Sequence, residues 1–216
     1  MKILLTGHKG FIGKYLLEEL KKENNQIYTV DKDEGEDLCD ENFINSLPKD
    51  IDMIYHLAAF NGTKHFYTNP VEVCLNNTLP TINLIKKYNK TNAKFIFAST
   101  CEIFNSTIDM NLYDIPTDEN VPIMFQDIKN PRWSYSIPKA LGENLIANCG
   151  LDWLVIRYFN IYGPGQKDHF LPEFIDRVKN GEFIIYGNDT RSFCYVEDAA
   201  KLTHKLSKLA NKLIIN

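Results

Sequence analysis

Tyr135 and Lys139, in the stretch "YSIPK", stand four residues apart. A helix would put both on one face. A free phenol titrates near ~10. An ammonium about 4 Å away is worth roughly 4 kcal/mol at an effective dielectric of ~20, which at ~1.4 kcal/mol per pKa unit brings the phenol to about 7. On that footing Tyr135 is a general base for a hydroxyl group at neutral pH. Taken in isolation, the same pair also reads as a plain surface amphipath. Pro138 lies between the two, and proline is harmless only in the first turn of a helix. The helix is therefore expected to begin near Ser134 or Tyr135.

A second stretch offers a place for an anion rather than a reactive side chain. "MKILLTGHKGFIG" is an apolar run followed by Gly7, Gly10 and Gly13, after which apolar residues resume. A strand, such a turn and then a helix form the context in which a dinucleotide pyrophosphate sits on a helix N-terminus. Gly7 would make the turn, Gly10 admit the pyrophosphate and Gly13 let helix and strand pack closely. An ordinary strand–helix turn would look the same. Asp31 ends the next strand, close to the ~20-residue offset at which an acid takes the adenosine ribose hydroxyls. A carboxylate there would repel a 2′-phosphate, so NAD is expected rather than NADP. Asp37 and Leu38, in "EDLCD", lie beside the adenine or merely form a turn.

These residues need a frame. Strands are expected at 2–5, 26–31, 51–59, 93–100 and 151–159, and helices at 11–23, 69–90 and 134–150, the last stopped by Gly150. Pro80 predicts a bend or irregularity in the second helix. Strand and helix alternate, and the strands are unbroken apolar runs. That pattern implies an α/β fold, a doubly wound parallel sheet covered on both faces by helices. Residues 105–133 show no clear period, and the chain is loop-rich after residue 160. "NKLIIN" at the end reads as one more strand.

The 216 residues suffice for one good-sized domain or slightly more. A net charge of −4 argues against nucleic acid or an anionic membrane as partner. No stretch approaches the ~20 apolar residues of a membrane span. "ILL" is too short for the core of a signal peptide. The five cysteines (39, 74, 101, 149 and 194) contain no C-x-x-C pair, so no disulfide framework or metal site is expected and a cytoplasmic location is. His56 reads as structural.

"TGHKGFIG" resembles the T-G-x-x-G-x-x-G motif of the extended short-chain dehydrogenase/reductases, the NAD-dependent epimerases and dehydratases of nucleotide sugars. Further resemblances follow in order: "YHLAA" (55–59) to H-L-A-A, "NTLPTINLI" (77–85) to N-V-x-G-T-x-N-L-L with Pro80 in place of glycine, "FIFASTCEIF" (95–104) to S-S/T-x-x-V-Y, "YSIPK" to Y-x-x-x-K, "RYFNIYGPGQ" (157–166) to R-x-x-N-V-Y-G-P and "RSFCYVEDAA" (191–200) to R-D-F-x-Y-V-D-D. The match covers almost the whole chain.

The resemblance implies a Rossmann-type domain over 1–160 that carries the catalytic residues. A small substrate-binding part over 161–216 would follow, shortened relative to the family and partly returning to the sheet. It implies a 4-keto sugar intermediate, with hydride passing to tightly held NAD. Phe11, Ile12, Leu57, Ala58, Ala59 and Asn77 would join the glycines, Asp31, Tyr135 and Lys139 around the cofactor. Thr100 would hydrogen-bond the reacting oxygen. On an extended segment Glu102 would share the face of Thr100, with Cys101 turned elsewhere. "STCE" is similar to the S-T-D-E of 4,6-dehydratases and the S-T-S-E of UDP-glucuronate decarboxylases, in which the glutamate serves chemistry beyond C4. Cys101 replaces the acid of the dTDP-sugar dehydratases. Asn160 and Arg191 would hold the nucleoside-diphosphate sugar, with His169 nearby. Tyr186 would lie against the base or fill the core. A homodimer is expected. Epimerase or dehydratase, decarboxylase-like lyase, and non-catalytic nucleotide-binding protein or inactive fragment remain the three readings.

Overall fold

The computed structural model describes residues 1–167, 169–184 and 190–216. In chain order the elements are β1 (Lys2–Thr6), α1 (Phe11–Lys21), β2 (Gln26–Val30), α2 (Glu41–Ser46), β3 (Met53–His56), α3 (Thr63–Thr68), α4 (Pro70–Tyr88), β4 (Lys94–Thr100), α5 (Asn105–Asp109), α6 (Trp133–Ala147), β5 (Asp152–Tyr158), β6 (Asn160–Tyr162), α7 (Phe170–Lys179), β7 (Phe193–Tyr195), α8 (Val196–Leu209) and β8 (Leu213–Ile215).

Six strands form one sheet in the order β2-β1-β3-β4-β5-β8, every pair parallel. Successive side chains of a strand point to opposite faces. Ile3 and Leu5 therefore pack with Leu16, Leu20 and Ala200 of α1 and α8, while Leu4 packs with Leu84, Tyr88 and Ile146 of α4 and α6. Both faces are covered, which is why the strands read as unbroken apolar runs. The strand order reverses direction at β1. A ligand crevice belongs at such a switch point, beyond the carboxyl ends of the strands.

β3 is shorter than the expected strand. Pairing stops at His56, and residues 57–62 run on as loop. Helix α4 continues unbroken through Pro80, whose missing N–H costs one rung of the ladder. Helix α6 starts at Trp133, so Pro138 lies in its second turn rather than its first. The Ser134 carbonyl that Pro138 cannot bond accepts the Cys74 thiol of α4 at 3.3 Å instead. α6 ends at Ala147, before Gly150, whose φ of +86° turns the chain toward β5. The final residues form β8, which pairs with β5 at the sheet edge, and β6 and β7 form a separate two-stranded ribbon.

Candidate active site

The turn after β1 is built for close approach. Gly7 has φ +77° and donates its N–H to the Val30 carbonyl at 2.8 Å. A Cβ at Gly7 would lie 2.7 Å from the Ala58 nitrogen. A Cβ at Gly13 would run into the Gly7 carbonyl oxygen, so the turn folds back on the helix only with glycine there. A Cβ at Gly10 would meet nothing but the Gly7 oxygen, at 3.1 Å. The ground above Gly10 is thus open, at the N-terminus of α1, where the first N–H groups of a helix have no partner within it. This cradle fits the pyrophosphate of a dinucleotide.

A cleft of about 560 Å³ starts at this turn and crosses the ends of β3, β4 and β5. It brings together Gly7, Gly10, Phe11, Ile12, Gly13, Leu57, Ala59, Thr100, Glu102, Tyr135, Lys139, Asn160 and His169 from the residues expected by sequence. Asp31 caps the following turn beside the glycines, accepting the Lys9 N–H at 2.8 Å and the Asp33 N–H at 3.1 Å. Other expected residues lie off the cleft wall. Ala58 donates its N–H to Thr6 Oγ1 at 3.2 Å behind the glycine turn. Asn77 spends its amide on both backbone groups of Phe60 and so pins the loop after β3. Leu38 is a core residue against Val30 and Ile44, and Asp37 accepts the Cys39 N–H at 2.9 Å. Arg191 is exposed and donates to the Thr190 carbonyl. Tyr186 lies outside the described residues.

The segment after β4 differs from the extended one expected. Residues Cys101–Phe104 form a 3-10 turn, which Thr100 Oγ1 caps by accepting the Glu102 N–H at 3.3 Å. Cys101 and Glu102 consequently both border the cleft. Burial pushes the Cys101 thiol up to about 12, so it stays neutral. Glu102 is held at the cleft wall by Arg132, whose Nη2 donates to its Oε2 at 3.0 Å. Phe66 of α3 stacks on Tyr135, ring centres 5.3 Å apart and 12° from parallel. Neither Arg132 nor Phe66 carries a signal in the sequence: Arg132 lies in the aperiodic stretch 105–133, and Phe66 lies between the strand expected at 51–59 and the helix expected at 69–90.

The electrostatics of the pair also differ from the sequence estimate. Burial raises the Tyr135 phenol above its ordinary value, and the charge of Glu102 adds to the rise. Lys139 is 3 % exposed, and burial lowers it to about 7, with Glu143 opposing. Its Nζ donates to the Ala98 carbonyl at 2.8 Å and lies 5.8 Å from the centre of the Tyr135 ring. A pKa near 7 for Tyr135 would require a half-solvated pair facing each other. In the protein desolvation dominates, so Lys139 rather than Tyr135 titrates near neutrality. Beneath them Glu143 is itself buried, held by Arg157 Nη2 at 2.8 Å and by the Ser99 hydroxyl at 2.5 Å.

The model of the NAD dependent epimerase/dehydratase family matches residues 3–214. A UDP-N-acetyl-alpha-D-glucosaminuronate decarboxylase of Bacillus cytotoxicus is 32% identical over the whole chain, which spans 74% of that protein. A putative UDP-glucose 4-epimerase of Methanocaldococcus jannaschii is 30% identical over 98% of the chain and 75% of its own length. Among solved structures, a UDP-N-acetylglucosamine 4-epimerase from Methanobrevibacter ruminantium, in complex with UDP-N-acetylmuramic acid, superposes with a TM-score of 0.78 at 26% identity. That match covers 96% of this chain and 73% of the other. The chain thus spans about three quarters of the length of these relatives.

Proposed function

This chain belongs to the NAD dependent epimerase/dehydratase family, and we propose that it oxidises and rebuilds the sugar of a nucleoside-diphosphate sugar, with Tyr135 as the acid–base group. The observation that carries this reading is the single cleft joining the glycine turn to Thr100, Glu102, Tyr135 and Lys139. The cofactor is NAD. When bound it accepts hydride from a sugar carbon and later returns it. The residues that would hold it are Gly7, Gly10 and the first turn of α1 at the pyrophosphate, Asp31 at the adenosine ribose, and Lys139 with Tyr135 at the other end.

Tyr135 takes the proton of the sugar hydroxyl as the carbonyl forms. Its raised pKa makes that costly in the free protein, so the charges around it matter. A protonated Lys139 favours the phenolate, and Arg132 offsets the opposing charge of Glu102. Thr100 holds the reacting oxygen. Asn160 and His169, on the cleft wall, would contact the substrate, and the exposed Arg191 would have to turn from the Thr190 carbonyl to join them; residues 1–160 act as the cofactor-binding part, with 161–216 covering the substrate. The neutral thiol of Cys101 does not serve as an acid for eliminating a leaving group.

A second reading is decarboxylation of a nucleotide-linked uronic acid. The Glu102–Arg132 pair favours it, since Arg132 offers a guanidinium at the cleft wall to an acidic substituent on the sugar. The Bacillus relative is named for such a reaction.

We propose a cytoplasmic enzyme; among the described residues, no helix is long and apolar enough to cross a membrane. We further propose a homodimer. Val71, Leu75 and Leu79 recur every fourth residue of α4 and are all exposed.

The test is turnover of UDP-sugars, neutral and uronic, by the chain and by Tyr135→Phe. Tyr135→Phe should cut turnover by about 10²–10⁴ while NAD binding persists. Carbon dioxide from the uronic substrate selects the second reading. Unchanged turnover in the variant rejects the role of Tyr135.

A further inference from the structure

The glycine turn carries a cation that the fold keeps occupied. Lys9 lies between Gly7 and Gly10, and its Nζ pairs with Glu34 Oε1 at 2.9 Å. The other oxygen of Glu34 lies 3.6 Å from His8 Nε2. The backbone of Lys9 is fixed as well, through its N–H to Asp31 Oδ2 at 2.8 Å. Asp31 also accepts the Asp33 N–H, and its own N–H donates to Glu36 Oε2 at 2.9 Å. One knot of hydrogen bonds therefore ties the glycine turn to residues 31–36. Within residues 31–36, Lys32 is occupied too, by Asp37 at 3.4 Å and Asn76 at 2.9 Å.

NADP differs from NAD by a phosphate on the adenosine ribose. An acid at the end of the second strand suits the free hydroxyls, and a nearby cation suits the phosphate. This chain has both: Asp31, and one residue before Gly10 a lysine hydrogen-bonded to it. We propose that Glu34 is a specificity-determining residue, which holds the Lys9 ammonium away from a 2′-phosphate and so sets the preference for NAD together with Asp31. The inference rests on the reading that this turn binds NAD.

The ion pair is partly exposed on both sides, so its hold is modest and screened by salt. What counts is cancellation. An arriving phosphate meets the charge of Asp31 and a lysine already neutralised by Glu34. With Glu34→Gln it meets a free ammonium.

The experiment is calorimetric titration of the full chain with NAD and with NADP at low ionic strength. The wild type should prefer NAD. In Glu34→Gln the Kd for NADP should fall about tenfold, the worth of one charge-assisted contact, while that for NAD moves less than about threefold. Adding Lys9→Met to Glu34→Gln should remove the gain, and so should high salt. An unchanged ratio of the two affinities in Glu34→Gln, with NAD binding intact, overturns the inference alone. An equal gain in the double variant overturns the part played by Lys9. A wild type that binds neither nucleotide ends both the inference and the reading beneath it.

Discussion

Acid should weaken this protein through His56 before its carboxylates matter. His56 ends β3, is 1 % exposed, and packs edge-on against Phe95. Its Nδ1 lies 2.8 Å from Thr6 Oγ1 and its Nε2 lies 3.1 Å from Thr81 Oγ1. Thr81 Oγ1 donates its own proton to the Asn77 carbonyl, so it accepts Nε2–H, and Nδ1 then accepts the Thr6 hydroxyl proton. Every proton has a place only while the ring is neutral. Burial, with the charge of Lys139 adding, lowers its pKa from 6.5 to about 3. The sign follows from linkage: below 6.5 the unfolded chain binds a proton that the folded chain refuses, so stability falls as pH drops from 6.5 toward 3. Between pH 7.5 and pH 5 the loss is about 2 kcal/mol at ~1.4 kcal/mol per unit. His56→Gln keeps a donor and an acceptor at the site but does not titrate. Urea unfolding followed by tryptophan fluorescence at each pH should show the wild type losing about 2 kcal/mol more than the variant over that range. Parallel pH profiles for the two proteins would refute the assignment of a buried neutral imidazole.

The resemblance of "STCE" to the dehydratases implies that Glu102 takes the C5 proton; on that reading Glu102→Gln should leave oxidation at the sugar hydroxyl intact but stop exchange of the C5 hydrogen with solvent deuterium, read by mass spectrometry, and exchange at the wild-type rate removes Glu102 from that step. Gly13→Ala should abolish NAD binding in a calorimetric titration, since the new Cβ collides with the Gly7 carbonyl and must displace the turn; wild-type affinity contradicts the cradle. Leu75→Glu, on the exposed stripe of α4, should shift the species seen by light scattering from dimer to monomer without loss of helical signal. Burial lowers Lys139 from 10.5 to about 7, so the unfolded chain binds the extra proton between those values and stability should rise with pH across that window; Lys139→Met should flatten the rise in thermal melts.

The sheet was legible because burial on both faces leaves a simple trace. Leu4 and Leu5 point to opposite cores, yet both must be apolar, so β1 reads as a run. The same holds for β4 and β5. Strand ends were less legible. "HLAA" is as apolar as the strand before it, but Ala58 bonds the Thr6 side chain rather than a neighbouring strand, and pairing stops at His56. Pro138 was misplaced within α6, because nothing local announces that a thiol from α4 would satisfy the Ser134 carbonyl. The site divides along the same line. The glycine spacing and the Tyr–Lys spacing are local patterns and could be read. The Glu102–Arg132 pair spans thirty residues, most of them aperiodic, and no spacing rule reaches across them. Asn77 matched a motif position, yet its task is the Phe60 backbone, which only the fold reveals.

The charges under the cleft explain why the pair on α6 cannot be judged from its own four-residue spacing. Glu143 is one turn beyond Lys139 and would be its natural counter-ion. Its oxygens are instead taken by Arg157 and Ser99, in a pair that is itself buried. Breaking such a pair leaves an uncompensated buried charge, so Glu143 is not free to turn toward the lysine. Lys139 is left with a neutral carbonyl and the face of Phe97, 4.8 Å away. Neither compensates the desolvation of a full ammonium, and its pKa settles near 7. The positive charge at the site is therefore conditional, present when something in the cleft favours it. Hydroxyl groups or an anion brought beside Lys139 would raise its pKa, and that charge would in turn lower the cost of ionising Tyr135. With its pKa near 7, Lys139 is about half charged at neutral pH in the free protein, and on the proposed mechanism ligand binding supplies the rest of the field that Tyr135 requires.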